Sequence, residues 1–279
     1  METTPWTKKG ADLLKSGLFS DICIRVENTC FKCHKIILAC ASEFFEKLFQ
    51  KDGLETGNVV LEGTTPEVFE IFLNYIYTMD KEFLKSVELD HLLSLMKCAN
   101  MWLAAEVENV CPEIIVETCV ISGINEKRLI QIYEVSYQVN NESLMNWIIS
   151  ILKKDDAMDL QESAKLGIDC FMEYFQHTSE MEESKRFGLL EMWMHQNCLE
   201  DEGFVFSLRE NSKAKNKNEK SFPAFEKISL MLSSIDFEKM TLKEFHNGPG
   251  RSIFISDTDK VDTIYGIAKK VIDSSFTAL

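Results

Sequence analysis

Between Phe19 and Phe49 the spacing of apolar positions changes character. Ile22, Ile24 and Val26 alternate with Cys23 and Arg25, the two-residue period of a strand with one buried face. Glu27 and Asn28 predict a turn, and Thr29 to Cys33 a second strand. From His34 the period is helical: Ile36, Ile37, Leu38 and Cys40 make one apolar run, and Phe44, Phe45, Leu48 and Phe49 make another after Ser42. Two strands hand over to two helices.

Upstream, Lys9 to Ser16 predicts a short helix with Leu13 and Leu14 on its apolar face and Gly17 as its stop. Pro5 and Trp6 have no local partner and read as an arm that packs elsewhere, on another subunit. Downstream, Val59 to Leu61 predicts a short strand. Thr65 and Pro66 then open a helix that buries Val68, Phe69, Phe72, Tyr75 and Ile76. Met79 to Leu89 reads as a charged connection, and Asp90 as the cap of a helix running through Leu92, Leu93, Leu95, Met96 and Ala99 to Trp102. Leu103 to Thr118 continues as helix, with Pro112 predicting a kink or restart near Cys111.

Beyond Gly123 no strand pattern recurs for about a hundred residues. Asn125 predicts one helix start; Asn140 and Asn141 break that helix before Leu144, Trp147 and Ile148 mark the next. Short breaks of this kind favour antiparallel helical neighbours. Ser179 with Glu182, and Thr241 with Glu244, stand at capping-box spacing, and a last helix is predicted from about Thr258 to Ile272. The fold class that follows is mostly α with a small mixed sheet: an α/β domain over 5–120 and an all-α domain over 121–279.

Composition narrows the function classes. The chain has 279 residues, of which 45% are hydrophobic and 27% charged, with only 5 Pro, so it can bury a large core and leans toward helix. Its net charge of -15 argues against nucleic acid as the main partner, because phosphate is bound by clustered Lys and Arg. No apolar run reaches the roughly 18 residues of a membrane span, and no secretory signal is evident. A cytoplasmic protein is expected. Lys213, Lys215, Lys217 and Lys220 form a weak nuclear-import pattern, which leaves the nucleus as a second compartment. Nine scattered cysteines fit reduced, buried thiols better than a disulfide framework.

Cys30, Cys33 and His34 match the C-x-x-C-H pattern of haem attachment. On a strand, however, residues three apart face opposite sides, so the two sulfurs cannot converge on one haem or zinc. Cys98, Cys111 and Cys119 stand singly on helical faces, and no nucleophile elbow, zinc-protease or phosphate-loop motif occurs. No catalytic residue, cofactor or metal is expected. A haem or zinc enzyme built on the C-x-x-C-H match would show itself by stoichiometric metal or haem. The aromatic residues and Trp102, Trp147 and Trp193 read as core. Trp6, Leu13, Leu14 and Leu18, with the edge of a small sheet, are left over and point to association.

The opening stretch resembles the BTB (POZ) domain. The resemblance rests on Ser20-Asp21, His34-Lys35, Ile37-Leu38-Ala39-Cys40 and Ser42-Glu43-Phe44-Phe45. Val59-Val60-Leu61, Asn74-Tyr75-Ile76-Tyr77-Thr78, and Cys98-Ala99-Asn100 followed by Cys111 extend it. The helical remainder is similar to the BACK domain of Kelch-like proteins through Glu182 to Trp193 and Ile235-Asp236-Phe237 with Met240, Thr241 and Phe245; no blade-like repeat accompanies it. The resemblance implies a homodimer whose interface uses Trp6, Leu13, Leu14, Leu18 and Phe19 through a swapped arm, with Asp21 and Lys35 as a charged pair beside it. It also implies an adaptor that brings an unidentified substrate protein to a cullin-3 ubiquitin ligase. The cullin contact would fall on Phe49, Leu54, Glu55, Thr56, Tyr77 and Met79, with Thr56 replacing the motif's usual Glu. The alternative is a cullin-independent scaffold or transcriptional co-regulator.

Overall fold

The alternating stretch folds as the predicted hairpin. β1 (Ile22–Val26) pairs antiparallel with β2 (Thr29–Cys33), Ile22 opposite Cys33 and Val26 opposite Thr29. β3 (Asn58–Leu61) runs parallel to β1 on its other side, giving a mixed sheet of order β2-β1-β3. Ile22, Ile24, Val26, Cys33, Val59 and Leu61 are buried, whereas Arg25, Cys30, Lys32 and Val60 are exposed, so one face carries the core. The protein is described by a computed structural model over residues 5–50, 58–123, 125–154, 160–198 and 225–277. It divides into two units, 1–150 and 151–279. The described part is mostly helical, as the periodicity predicts.

In the first unit, α1 (Pro5–Ser16) starts earlier than its apolar pattern suggests and stops at Gly17, which has a φ of 62°. α2 (Lys35–Ala41) and α3 (Glu43–Gln50) are divided at Ser42. The division is a bonded joint. Ser42 Oγ donates to the Trp102 carbonyl at 2.6 Å and accepts the Phe45 N–H at 3.2 Å, while Glu43 and Phe44 N–H groups reach the Leu103 and Trp102 carbonyls. α4 (Pro66–Thr78) is capped by Thr65, whose Oγ1 accepts the Val68 N–H. Its buried side carries the expected Val68, Phe69, Phe72, Tyr75 and Ile76. Phe45, Phe69, Phe72 and Trp102 form one cluster, with ring centroids 4.9 to 6.4 Å apart. Such aromatic pairs contribute about 0.5–1.5 kcal/mol each beyond burial.

Three local expectations in this unit change. The charged connection contains α5 (Lys81–Lys85), capped by Asp80, which accepts the Glu82 and Phe83 N–H groups. Five residues are too few to display a helical period. α6 (Leu89–Met101) begins before Asp90, so Asp90 is not its cap; its carboxylate instead pairs with Arg128. α7 (Ala105–Ser122) runs through Pro112 without restarting. Burial of Val107, Val110, Cys111, Ile114 and Ile115 around that point offsets the roughly 3 kcal/mol that an interior proline costs. α8 (Glu126–Gln138) has Asn125 as cap, and α9 (Glu142–Lys154) opens where Asn141 Oδ1 accepts the Leu144 N–H.

The cysteines also depart from expectation. Cys33, Cys98, Cys111, Cys119 and Cys170 are buried free thiols and Cys40 an exposed one, but Cys23 and Cys30 are joined by a disulfide with Cα atoms 6.2 Å apart. Because Cys23 lies opposite Lys32, and Cys30 opposite Arg25, the two cysteines are diagonal neighbours on one face of the hairpin.

The second unit contains α10 (Leu160–Ser163), α11 (Ile168–Gln176), α12 (Glu183–Cys198), α13 (Phe225–Ser233), α14 (Leu242–Asn247) and α15 (Asp257–Thr277), with no strand among the described residues. Thr241 and Glu244 form the capping box their spacing predicts. Ser179 and Glu182 do not, since α12 opens at Glu183 and Ser179 lies in the preceding turn. Trp193 donates to the Leu166 carbonyl at 2.8 Å and stacks on Phe171. Arg186 is buried, paired with Glu183 at 2.7 Å, bonded to Thr178 and Ser234, and placed over the Phe175 ring.

Two substitutions test this packing. α1 lies against the end of α4 so closely that a Cβ on Gly10 would sit 1.8 Å from the Tyr77 carbonyl oxygen, and Thr7 Oγ1 donates to the Thr78 carbonyl nearby. Alanine normally stabilises a helix by about 1 kcal/mol over glycine. Gly10→Ala should reverse that sign, with a lower thermal midpoint and faster amide exchange over 5–16. Glu183→Ala leaves the Arg186 charge buried without its carboxylate, and urea unfolding should show a loss of about 3–5 kcal/mol.

Candidate protein-interaction face

His34 ends β2 and precedes α2, and its ring ties three elements together. Nε2 lies 2.8 Å from the Leu18 carbonyl oxygen and Nδ1 lies 2.8 Å from the Tyr77 hydroxyl, whose oxygen also accepts the His34 backbone N–H at 3.0 Å. A carbonyl can only accept, so in the neutral ring the proton belongs on Nε2 and Tyr77 donates to Nδ1. Tyr77 is 0% exposed, and burial, then Cys33 and Asp21, push its hydroxyl well above the usual tyrosine range. It therefore remains a neutral donor.

The segment that His34 holds carries two exposed apolar residues of the first unit. Leu18 is 57% exposed and Phe19 80%. Phe19 also has a φ of 63°, a left-handed conformation that costs a bulky residue on the order of 1–2 kcal/mol. Glycine would serve this turn better, so an exposed ring held there at a cost points to a use outside the monomer fold. Ile36 on α2, two residues beyond His34, is 69% exposed and extends the apolar character of the region. The sequence pattern absorbed Ile36 into the core-facing run of α2, since periodicity alone does not say which turn of so short a helix meets solvent.

Leu13 and Leu14 are half-buried on α1, which packs against α4 of the same chain. Trp6 lies in the first turn of α1, and its side chain is outside the described set. Asp21 and Lys35 do meet, but not as a pair of charged side chains. Asp21 Oδ1 accepts the Lys35 backbone N–H at 2.8 Å, where it satisfies an unpaired donor in the first turn of α2.

Of the residues of the implied cullin contact, Phe49, Tyr77 and Met79 are described. Phe49 is half-buried and stacks on Phe45. Met79 is 51% exposed and closes α4 in a left-handed cap. Tyr77 is buried and committed to His34, so it supports the surface and does not form it. Leu54, Glu55 and Thr56 lie outside the described residues, as do Lys213, Lys215, Lys217 and Lys220.

The C-x-x-C-H residues point in three directions. The Cys30 sulfur is bonded to Cys23, both His34 nitrogens are engaged, and the Cys33 thiol is buried and pushed up to about 12, first by desolvation and then by Asp21. A thiol held neutral is a poor ligand or nucleophile. Among the described residues no group of three or more His, Cys, Asp or Glu could hold a metal ion, and no helix is long and apolar enough to cross a membrane.

The chain is similar to several known proteins. Residues 11–118 match the BTB/POZ domain family. Kelch-like protein 41a of Danio rerio is 27% identical over 233 residues, covering 79% of this chain and 34% of that protein. Human zinc finger and BTB domain-containing protein 14 is 40% identical over 63 residues, 22% of this chain and 14% of that protein. Among solved structures, the BTB domain of zebrafish PATZ1 aligns at 28% identity with a TM-score of 0.34, covering 40% of this chain and 88% of that domain. The chain spans about a third or less of the length of these curated relatives. Its residues 11–118 are a BTB/POZ domain, and it is related to the Kelch-like proteins.

Replacing Phe19 separates surface from scaffold. Phe19→Gly removes the exposed ring and relieves the left-handed strain, so folding stability should stay within about 1 kcal/mol of the parent. Self-association measured by sedimentation equilibrium should weaken by at least about tenfold, as removal of an interface anchor does. Unchanged association with unchanged stability would place the partner face elsewhere.

Proposed function

We propose that this chain is a homodimeric BTB–BACK adaptor that brings substrate proteins to a cullin-3 RING E3 ubiquitin ligase, with a BTB domain over 5–120 and a BACK-like helical domain over 121–279. The observation that carries this reading is the extent of the Kelch-like similarity, which covers 79% of the chain and so continues past the BTB/POZ segment into the helices that follow it. The work of such a protein is positional, with no chemistry of its own. The exposed Leu18–Phe19 edge joins two copies, and Leu13, Leu14 and Trp6 are assigned to the same interface. Phe49, Leu54, Glu55, Thr56 and Met79 are the residues assigned to the cullin contact, and Tyr77 supports the region from the core through its bond to His34. Two joined copies hold two substrate sites near the ligase, and the second engagement becomes intramolecular, raising its effective concentration without new contacts. The adaptor is cytoplasmic in this reading, with the nucleus as a second compartment.

A second reading has two observations in its favour. Zinc finger and BTB domain-containing protein 14 shares 40% identity over 63 residues, and Thr56 stands where the cullin motif carries Glu. The same dimer would then be a cullin-independent scaffold or co-regulator.

Calorimetric titration of the full chain with the cullin-3 N-terminal region separates the two. The adaptor reading expects a dissociation constant of about micromolar or tighter, weakened by Leu54→Ala and strengthened by Thr56→Glu. Absence of heat at tens of micromolar, with self-association intact, would sink the adaptor and leave the scaffold.

A further inference from the structure

A groove on the first unit begins at Ser16 and Gly17, just before the Leu18–Phe19 edge, and shares Leu14 with the dimer face proposed above. It runs between β2, the C-terminal half of α1 and the outward side of α4, and encloses about 590 Å³, within the range of sites that hold a ligand. Its floor is apolar: Phe31 and Leu14 are half-buried, Leu73 is buried, and the Phe31 ring is fixed edge-on against Phe69 at 5.2 Å. One wall is the outer strand of the sheet. β2 pairs with β1 alone, so along its other side no described strand takes up its backbone N–H and C=O groups.

The charges around this groove give it a direction. Lys15 and Lys32 are both exposed on its wall, and neither has a carboxylate within ion-pair distance among the described residues. In a chain of net charge -15, two neighbouring unpaired lysines beside an apolar floor are locally unusual. The stem of Lys32 is packed against Gly17, where even a Cβ would come within 3.0 Å of it, so this side chain has less freedom to lose on binding. Glu70 stands on the opposite, α4 wall and would repel a second carboxylate there.

We infer that this groove is a docking site for an extended peptide segment of another protein, which adds as a strand to the free edge of β2, seats an apolar side chain on Phe31, Leu14 and Leu73, and places an acidic residue against Lys15 and Lys32. Strand addition supplies backbone hydrogen bonds, and side chains that alternate into the groove supply selectivity. The complementarity is to acid at the lysine end and to neutral or apolar groups at the Glu70 end. This inference does not rest on cullin binding, and it gives the BTB/POZ domain a recruiting surface of its own.

The test uses the full chain and a fluorescein-labelled nonapeptide of alternating valine and glutamate. Two control peptides carry lysine in place of glutamate, or N-methylated amides at alternate positions. Fluorescence anisotropy should show saturable binding of the acidic peptide, binding of the basic one weaker on the order of tenfold, and none of the N-methylated one. The doubly reversed variant Lys15→Glu/Lys32→Glu changes only exposed side chains and should keep its melting curve while losing the preference for acid. Hydrogen exchange should slow at residues 29–33 when peptide binds. No saturable binding below millimolar peptide, equal affinity for acidic and basic peptides, or binding indifferent to the double reversal would overturn the inference. Protection of 29–33 that grows with protein concentration in the absence of peptide would overturn it in favour of a second copy of this chain.

Discussion

The ring of His34 is the constraint from which the interaction face follows. A neutral imidazole has one donor and one acceptor, and here each has a single available partner: the Leu18 carbonyl and the Tyr77 hydroxyl. Tyr77 is fully buried near the end of α4, and its carbonyl is the point on which α1 rests through Gly10. One residue therefore fixes the end of β2, the start of α2, the end of α4 and the turn that follows α1. A hydrogen bond of this kind contributes only about 1 kcal/mol net, but leaving its buried partners unpaired costs more. The asymmetry makes the joint rigid.

That rigidity explains how Phe19 persists in a conformation unsuited to it. The turn from Gly17 to Ser20 closes with Ser20 N–H on the Gly17 carbonyl, and the Leu18 carbonyl is taken by His34, so Phe19 has little freedom to relax. Its ring is directed into solvent beside Leu18, and Ile36 stands exposed two residues beyond His34. Unpaired apolar area displayed by an over-determined backbone is the physical signature of an interface. The aromatic cluster of Phe45, Phe69, Phe72 and Trp102 packs α3, α4 and the end of α6 together. The Trp102 carbonyl in turn locks the break at Ser42 that divides α2 from α3.

What was legible in the sequence was local. The hairpin turn and the caps at Thr65, Asn125 and Thr241 each depend on residues within four positions of one another. Leu18 stood out because it fits no local apolar face, whereas Phe19 was pointed to only by the BTB resemblance. What was not legible depends on the opposing backbone. The need for glycine at position 10 becomes visible only when the Tyr77 carbonyl is set against it. Tyr77 reads as a surface residue near the cullin contact until His34 claims its hydroxyl. Asp21 and Lys35 read as two charges, yet only the Lys35 N–H is used. α11 escaped notice because Phe171, Tyr174 and Phe175 crowd nine residues between polar turns, and the Cys23–Cys30 bond because diagonal pairing needs the register.

We propose that the His34–Tyr77 joint presents the Leu18–Phe19 edge for self-association. Tyr77→Phe keeps the ring and its packing but removes the one hydroxyl that pairs with His34. Sedimentation equilibrium of this variant beside the parent is the most direct measurement. The parent should be a dimer at micromolar concentration and the variant should dissociate at least about tenfold more readily, in line with the roughly 1–3 kcal/mol lost when a buried partner is stranded. A parent that remains monomeric, or a variant that dimerises as tightly as the parent, would contradict the account.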